Sequence, residues 1–416
     1  MSDVGDLDCP VSATQIFSVR TTLILLLAML PQGVPAQDRD LGPCLASLRA
    51  TPAARRITAE SWERHTAALT LDPRVLRELG AQPEVRLPVW DYLAVMADDE
   101  RIDDGRRLMA EHRALLDTLE AKYGVDRHIL TAIWGIESDF GRGTGGYDVL
   151  RSLATLSCTG RRQAYFRREL LAALRIVQAG DVDAERFRGS WAGAFGQTQF
   201  MPGTFEWLAV DHDGDGRRDV LGNVGDALAS TANFLRTVRW REGAPWGIEV
   251  RLPSASFDAR NEGRRVKRTI ARWTARGVTR VDGSPLARPQ LPAATLAGLL
   301  LPAGPRGPAF LVFHNFDVIH RYNASEVYSL SVAHLADRLR GGSPFVTPWP
   351  TDDLGLSRAD RRELQQLLAQ RGHDVGAPTA VLTPQVLAAV RAEQRRLGHE
   401  VTGRPGQRLL SALRAP

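Results

Sequence analysis

Between Asp126 and Phe140 the chain reads DRHILTAIWGIESDF. Ile129, Ile133, Ile136 and Phe140 recur at the spacing of one helix face, and Asp126 stands where an N-cap belongs. An apolar stripe this dense has to be buried, so the segment predicts a core helix. Glu137 lies against the stripe, with Ile133 and Trp134 one turn before it and Phe140 and Gly141 one turn after. A carboxylate among apolar side chains loses hydration, which disfavours its charged form and raises its pKa. Such an acid holds a proton near neutral pH and can give it to a departing oxygen, as cleavage of a glycosidic bond requires. The competing reading is a helix Glu that turns to solvent or pairs with Arg142. Asp139 is two positions away and cannot share a helix face with Glu137. No paired-carboxylate mechanism is therefore legible here, and Asp139 is expected to be structural, bonded to the glycine-rich turn GRGTGG.

A chain of 416 residues can hold one large domain and a small one, or two to three ordinary domains. Its 44% hydrophobic and 24% charged residues are those of a soluble globular protein. The net charge of +5 permits an anionic partner. The arginines are scattered along helical stretches near Asp and Glu, without the basic-aromatic pattern of a nucleic-acid binder. Arg20, the apolar run Leu23 to Leu30 and the small residue Ala36 form an export signal over 1–36. Cys9 would leave with it. Cys44 and Cys158 then remain, either as one disulfide or as two buried thiols.

Residues 37–135 carry helical spacing punctuated by Pro73, Pro83 and Pro88. Further helices are predicted at about 161–178, 224–240 and 325–339. From 245 to 318 the periodicity weakens, and WGIEVRLP and AFLVFHNFDVI read as short strands. GGSPFVTPWPTDD, within 341–353, reads as a linker, and the remainder as a compact helical unit. Three further stretches carry chemistry. GSWAGAFGQTQFMPGTF (189–205) combines small residues, neutral hydrogen-bonding groups on Ser190, Gln197, Thr198 and Gln199, and aromatic faces on Trp191, Phe195, Phe200 and Phe205. That mixture suits a carbohydrate groove or tight helix packing. DHDGDGRRD (211–219) alternates Asp211, Asp213 and Asp215 with Gly216 in sixth place, like the first half of a calcium loop. The twelfth position is Gly222 rather than Glu, so Asp219 or Asp226 would complete the shell. FHNFDVIHRYNASEVY (313–328) reads as a strand that ends in Tyr322 and Asn323 before a helix capped by Ser325.

WGIESDFG, GSWAGAFGQTQFMP, the Asp-rich loop followed by DALASTANFL, and NFDVIHRYNAS occur in this order across about residues 40–340. Together they closely resemble the membrane-bound lytic murein transglycosylase B family, glycoside hydrolase family 103. The last sixty-odd residues are similar to a three-helix peptidoglycan-binding domain. The resemblance implies a mainly α (α+β) protein: a lysozyme-like catalytic region over 37–342 with an α/β insertion at about 245–318, a linker at 343–355, and a binding module at 356–416. It implies cleavage of the β-1,4 bond between N-acetylmuramic acid and N-acetylglucosamine by one acid/base, Glu137, to give a 1,6-anhydro sugar. Ser190, Gln199, Tyr322 and Asn323 should then line the groove. Asp211, Asp213, Asp215, the Arg217 carbonyl and Asp226 should hold calcium. The expected partner is the peptidoglycan glycan strand, with other cell-wall enzymes as further candidates and nucleic acid excluded. The expected form is a soluble periplasmic monomer. A hydrolytic muramidase and an inactive wall-binding scaffold are the alternatives.

Overall fold

The computed structural model describes residues 40–80, 87–159, 161–254 and 256–415. The export signal at 1–36, Cys9 and Pro83 lie outside the described residues. The Arg127–Ser138 helix is buried over most of its surface, from Ile129 through Gly135 and again at Ser138. Asp126 caps it as expected, its carboxylate accepting the His128 N–H at 2.8 Å. Ile136 is the one member of the predicted stripe that is only partly buried. Helices Asp99–Glu111, Arg113–Tyr123, Val224–Thr237 and Glu326–Leu339 pack around this central rod. On one side lies the antiparallel pair Val149–Thr159 and Gln163–Ala179. A disulfide joins Cys158 on the former to Cys44 on the Gly42–Arg49 helix. Of the two readings left open for these thiols, the structure takes the disulfide.

Two short strands, β1 (Tyr147–Asp148) and β2 (Arg188–Gly189), pair near the start of the glycine-rich stretch. The remaining five are β3 (Gly247–Arg251), β4 (Arg268–Thr269), β5 (Thr279–Arg280), β6 (Leu296–Leu300) and β7 (Ala309–Val312). They form one antiparallel sheet in the order β4–β6–β7–β3–β5, inserted between the Val224–Thr237 and His314–Tyr322 helices. The central strand β7 is buried on both faces because strand side chains alternate. Ala309 and Leu311 enter the insertion's own core with Val250, Ile270 and Trp273. Phe310 and Val312 enter the helical core. A period of two thus welds the insertion to the bundle.

One expectation fails here. The run 313–321 is not a strand: β7 stops at Val312, and His314–Tyr322 is a helix. Phe316 and Ile319 are three apart and both buried, as on one helix face. The wholly buried Asn315 accepts the Arg241 N–H and donates to the Arg241 and Ala244 carbonyls, satisfying a loop that would otherwise be orphaned. Tyr322 therefore ends a helix rather than a strand. At the C-terminus, helices Arg358–Gln370, Pro384–Arg396 and Gln407–Arg414 enclose a separate core of Leu364, Leu368, Val386, Val390 and Leu410.

Candidate active site

Glu137 occupies the last turn of the central helix and is half-buried. Its Oε1 accepts a 2.6 Å hydrogen bond from the Tyr328 hydroxyl on the Glu326–Leu339 helix. Burial pushes the Glu137 carboxyl up to about 7, against the opposing pull of that hydrogen bond. Burial also pushes the Tyr92 hydroxyl up to about 12, with the Glu137 charge adding to the effect and Arg101 opposing it. Tyr322 and Tyr328 are raised as well, first by burial and then by the Glu137 charge. Both phenols are therefore donors at any physiological pH. Among the described residues no basic side chain pairs with Glu137. Arg142 turns away, to Asp104 and to Asp139 at 3.1 Å.

Asp139 is structural, as expected, but through more than the glycine-rich turn. Its carboxylate meets Arg142 of that turn, Arg358 at 2.7 Å and Arg101 at 3.5 Å. Among the described residues no second carboxylate bears on Glu137. The helix ends in two successive non-glycine residues at positive φ, Asp139 (51°) and Phe140 (59°). Left-handed conformation costs an L-residue roughly 1–2 kcal/mol, so packing has to hold the turn. The Phe140 ring folds back edge-on to Trp134, 5.5 Å away, and lies over Gly135. A Cβ at Gly135 would sit 2.7 Å from the Phe140 ring.

The 189–200 stretch folds into a tight turn beside this helix end. Ser190 is half-buried; its Oγ accepts the Ala194 N–H at 3.0 Å. Gln199 has φ of 53°, and its Nε2 donates to the Thr144 carbonyl at 3.0 Å and the Gly196 carbonyl at 2.9 Å. Gln197 is buried and accepts from the Trp134 indole at 2.9 Å, while Ser138 donates to the Gln197 carbonyl. Tyr322 donates to the Thr198 carbonyl at 2.7 Å and stacks edge-on to Phe234 at 4.9 Å. The structure thus brings Glu137, Tyr328, Tyr322 and the Gln197–Gln199 turn to one place. Asn323 lies exposed just beyond it. The aromatic faces expected of this stretch are mostly unavailable: Phe195, Phe200 and Phe205 are buried in the core, and only Trp191 is half-exposed.

In the Asp-rich loop, oxygens of Asp211, Asp213 and Asp226 lie within 4.8 Å of one another. Asp226, on the first turn of the Val224–Thr237 helix, is wholly buried. Its two oxygens accept the His212 and Asp219 N–H groups at 2.8 and 2.7 Å. Burial raises its carboxyl, those hydrogen bonds oppose the rise, and the Asp213 and Asp211 charges add to it. Converging carboxylate oxygens suit a hard divalent cation. Asp215 is not among these converging carboxylates. Asp215 is exposed and accepts the Arg217 N–H at 2.8 Å, while the Arg217 side chain turns to Asp183.

Residues 40–337 match the family described as the transglycosylase SLT domain, and residues 357–413 match the peptidoglycan binding domain family. The chain belongs to the transglycosylase SLT-domain family. Over 237 residues it is 31% identical to membrane-bound lytic murein transglycosylase B of Escherichia coli K12, across 57% of this chain and 63% of that relative's length. Among solved structures it is similar to SltB3 of Pseudomonas aeruginosa in complex with NAG-anhNAM-pentapeptide. That match has 44% identity and a TM-score of 0.72, and covers 91% of this chain and all of the other. It is also similar to Escherichia coli Slt35 in complex with calcium, at 26% identity and a TM-score of 0.61, over 74% of this chain and 95% of the other. The lysozyme-like fold of these SLT structures is the fold seen here.

For an SLT-domain chain, the residue that sequence reasoning missed is Tyr328, the direct partner of the acid. It sits 191 positions from Glu137. Its only signal was its place three residues after the Ser325 cap, on the same helix as a buried apolar run. Tyr92 was missed for the same reason, since nothing local ties it to a carboxylate 45 positions on.

Proposed function

We propose that the protein is a lytic transglycosylase that cleaves the β-1,4 MurNAc–GlcNAc bond of peptidoglycan without water. The observation that carries this reading is Glu137, an acid held near pKa 7 with one phenolic donor and, among the described residues, no second carboxylate against it. Protonated Glu137 gives its hydrogen to the glycosidic oxygen as the C1–O bond breaks. The resulting carboxylate then takes the proton of the muramoyl C6 hydroxyl, whose oxygen bonds to C1. Glu137 ends protonated, and the product is a 1,6-anhydro sugar. An inverting hydrolase would need a second carboxylate to activate water. Tyr328 orients the acid. Gln199, Tyr322, Ser190 and Asn323 line the groove around the scissile bond, with Tyr322 fixing the Gln197–Gln199 turn.

Calcium is proposed as a structural ion on Asp211, Asp213 and Asp226, joined by Asp215 and the Arg217 carbonyl. The 343–355 segment connects a catalytic region to a module, 356–416, that contacts the polymer. The enzyme works in the periplasm as a monomer, on glycan strands and beside other cell-wall enzymes. Among the described residues no helix is long and apolar enough to cross a membrane.

Digestion of purified sacculi tests the reaction. The muropeptides are expected to carry an anhydro terminus, one water lighter than the hydrolysis product. Reducing-end products would make the protein a muramidase. Sacculi that bind the protein without being cut would make it a scaffold.

A further inference from the structure

The segment that leads to the C-terminal module does not hang free. Glu249 on β3 accepts the Val346 and Thr347 N–H groups, both at 2.8 Å. The Phe345 ring stacks on His334 with centroids 3.9 Å apart. The module is then held by charge. Arg404 grips the buried Asp91 with two 2.6 Å hydrogen bonds and reaches Asp353 at 2.7 Å, and Arg362 pairs with Glu100. The most deeply placed of these contacts belongs to Arg358, the first residue of the module's first helix. Its Nε and Nη2 fork onto the buried Asp98 at 2.9 and 3.0 Å. Its Nη1 reaches past that pair to Asp139 at 2.7 Å.

The two acceptors sit at the cap of a helix packed on the Glu137 helix and in the turn that follows Glu137. Asp98 caps the Asp99–Glu111 helix by accepting the Arg101 N–H, and Arg101 in turn approaches Asp139. Asp139 is two residues after Glu137 and begins the pair of left-handed residues that end its helix. A backbone in that conformation keeps its shape only while its surroundings over-determine it. A guanidinium that ties Asp139 to Asp98 spans the gap between the strained turn and the neighbouring helix with one planar group.

Resting on the reading of Glu137 as the acid, we propose that Arg358 of the C-terminal module is a positioning residue for the reaction. Through Asp139 it fixes the turn that aims Glu137. Turnover thus depends on the docked module by a route separate from any hold the module has on the polymer.

The test uses the full chain and a GlcNAc–MurNAc tetrasaccharide without stem peptides, alongside intact sacculi. With Arg358→Ala, kcat on the tetrasaccharide is expected to fall about tenfold with KM changed less than about twofold. Small displacements of a catalytic group carry penalties of that order or larger. Asp139→Asn, which also weakens the contacts to Arg101 and Arg142, is expected to give a fall at least as large, and the double variant less than the product of the two, because both remove the Arg358–Asp139 link. Arg358→Lys keeps the charge but cannot fork, so it should recover part of kcat. It also serves as the measurable variant if the alanine form does not fold. A kcat on the tetrasaccharide within twofold of the native value, with only sacculus digestion impaired, would overturn the proposal. So would independent, multiplying effects of Arg358→Ala and Asp139→Asn. Glu137→Gln run in parallel separates the two readings. If it stays active, the assignment of the acid fails; if it is inert while Arg358→Ala is fully active, only the role of Arg358 fails.

Discussion

As the proposed acid, Glu137 has no charged partner among the described residues. An ion pair would keep it charged and useless as an acid near neutrality; here burial raises it, and a phenol moderates the rise. Two outcomes follow from the sign of that shift. The protonated form is the reactive one, so kcat should fall as pH rises through about 7. Tyr328→Phe removes the group that lowers the pKa and should move that limb to higher pH, with a lower plateau from a less well-held carboxyl. A pH profile whose limb moved the other way would contradict the role given to Tyr328. Stability carries the same signature. Between 4.5, the ordinary value, and about 7 the native state holds a proton that the unfolded chain has released, so stability falls with rising pH. The full cost is on the order of 3 kcal/mol. Glu137→Gln should therefore abolish turnover while raising the denaturant midpoint at pH 8 more than at pH 5. An equal midpoint change at both pH values would mean that the acid is not desolvated.

At the scale of elements, the chain combines rigid helices with two demanding turns. The turn after Glu137 depends on Gly135, where any Cβ would press on the Phe140 ring. Gly135→Ala is expected to cost about 1–3 kcal/mol in chemical denaturation, the usual range for overpacking, although alanine is the better helix former. The Cys44–Cys158 disulfide ties the Gly42–Arg49 helix to the paired helices across 114 positions. Replacing both cysteines by serine should cost about 2–5 kcal/mol, and reductant should then no longer shift the unfolding midpoint. In the Asp-rich loop, the clustered Asp211, Asp213 and Asp226 repel one another, and a divalent cation would relieve that repulsion. Chelator is expected to lower Tm more than it changes the rate at low temperature. An unchanged melting curve would remove the ion from the account.

Over the whole molecule, the helical core, the inserted sheet and the C-terminal module adhere in different ways. The insertion shares β6 and β7 side chains with the helical core, so those two are expected to unfold together. The module has its own small core and meets the rest largely through arginine–carboxylate contacts. Arg404→Ala leaves buried Asp91 without its two 2.6 Å partners. Removing one member of a buried pair is strongly destabilising. Calorimetry is expected to show one transition for the native chain and a separate, earlier one for the module in the variant. A single unshifted transition would mean that the charge contacts contribute little to docking.

Local pattern alone determined the helix that carries Glu137, its Asp126 cap and the exclusion of Asp139 from the same helix face. All three depend on spacing within one or two turns, where side-chain direction follows from helix geometry. It misread 313–321 as strand. There the apolar run is short enough to fit either period, and buried Asn315, whose three partners lie more than 70 positions away, tips it to helix. Tertiary structure alone decided that Tyr328 donates to the Glu137 carboxylate and that Phe195, Phe200 and Phe205 face inward. It alone showed that Arg358 reaches Asp139. Those contacts arise where separate elements meet, and a periodic sequence fixes which face of an element is buried without fixing what it is buried against.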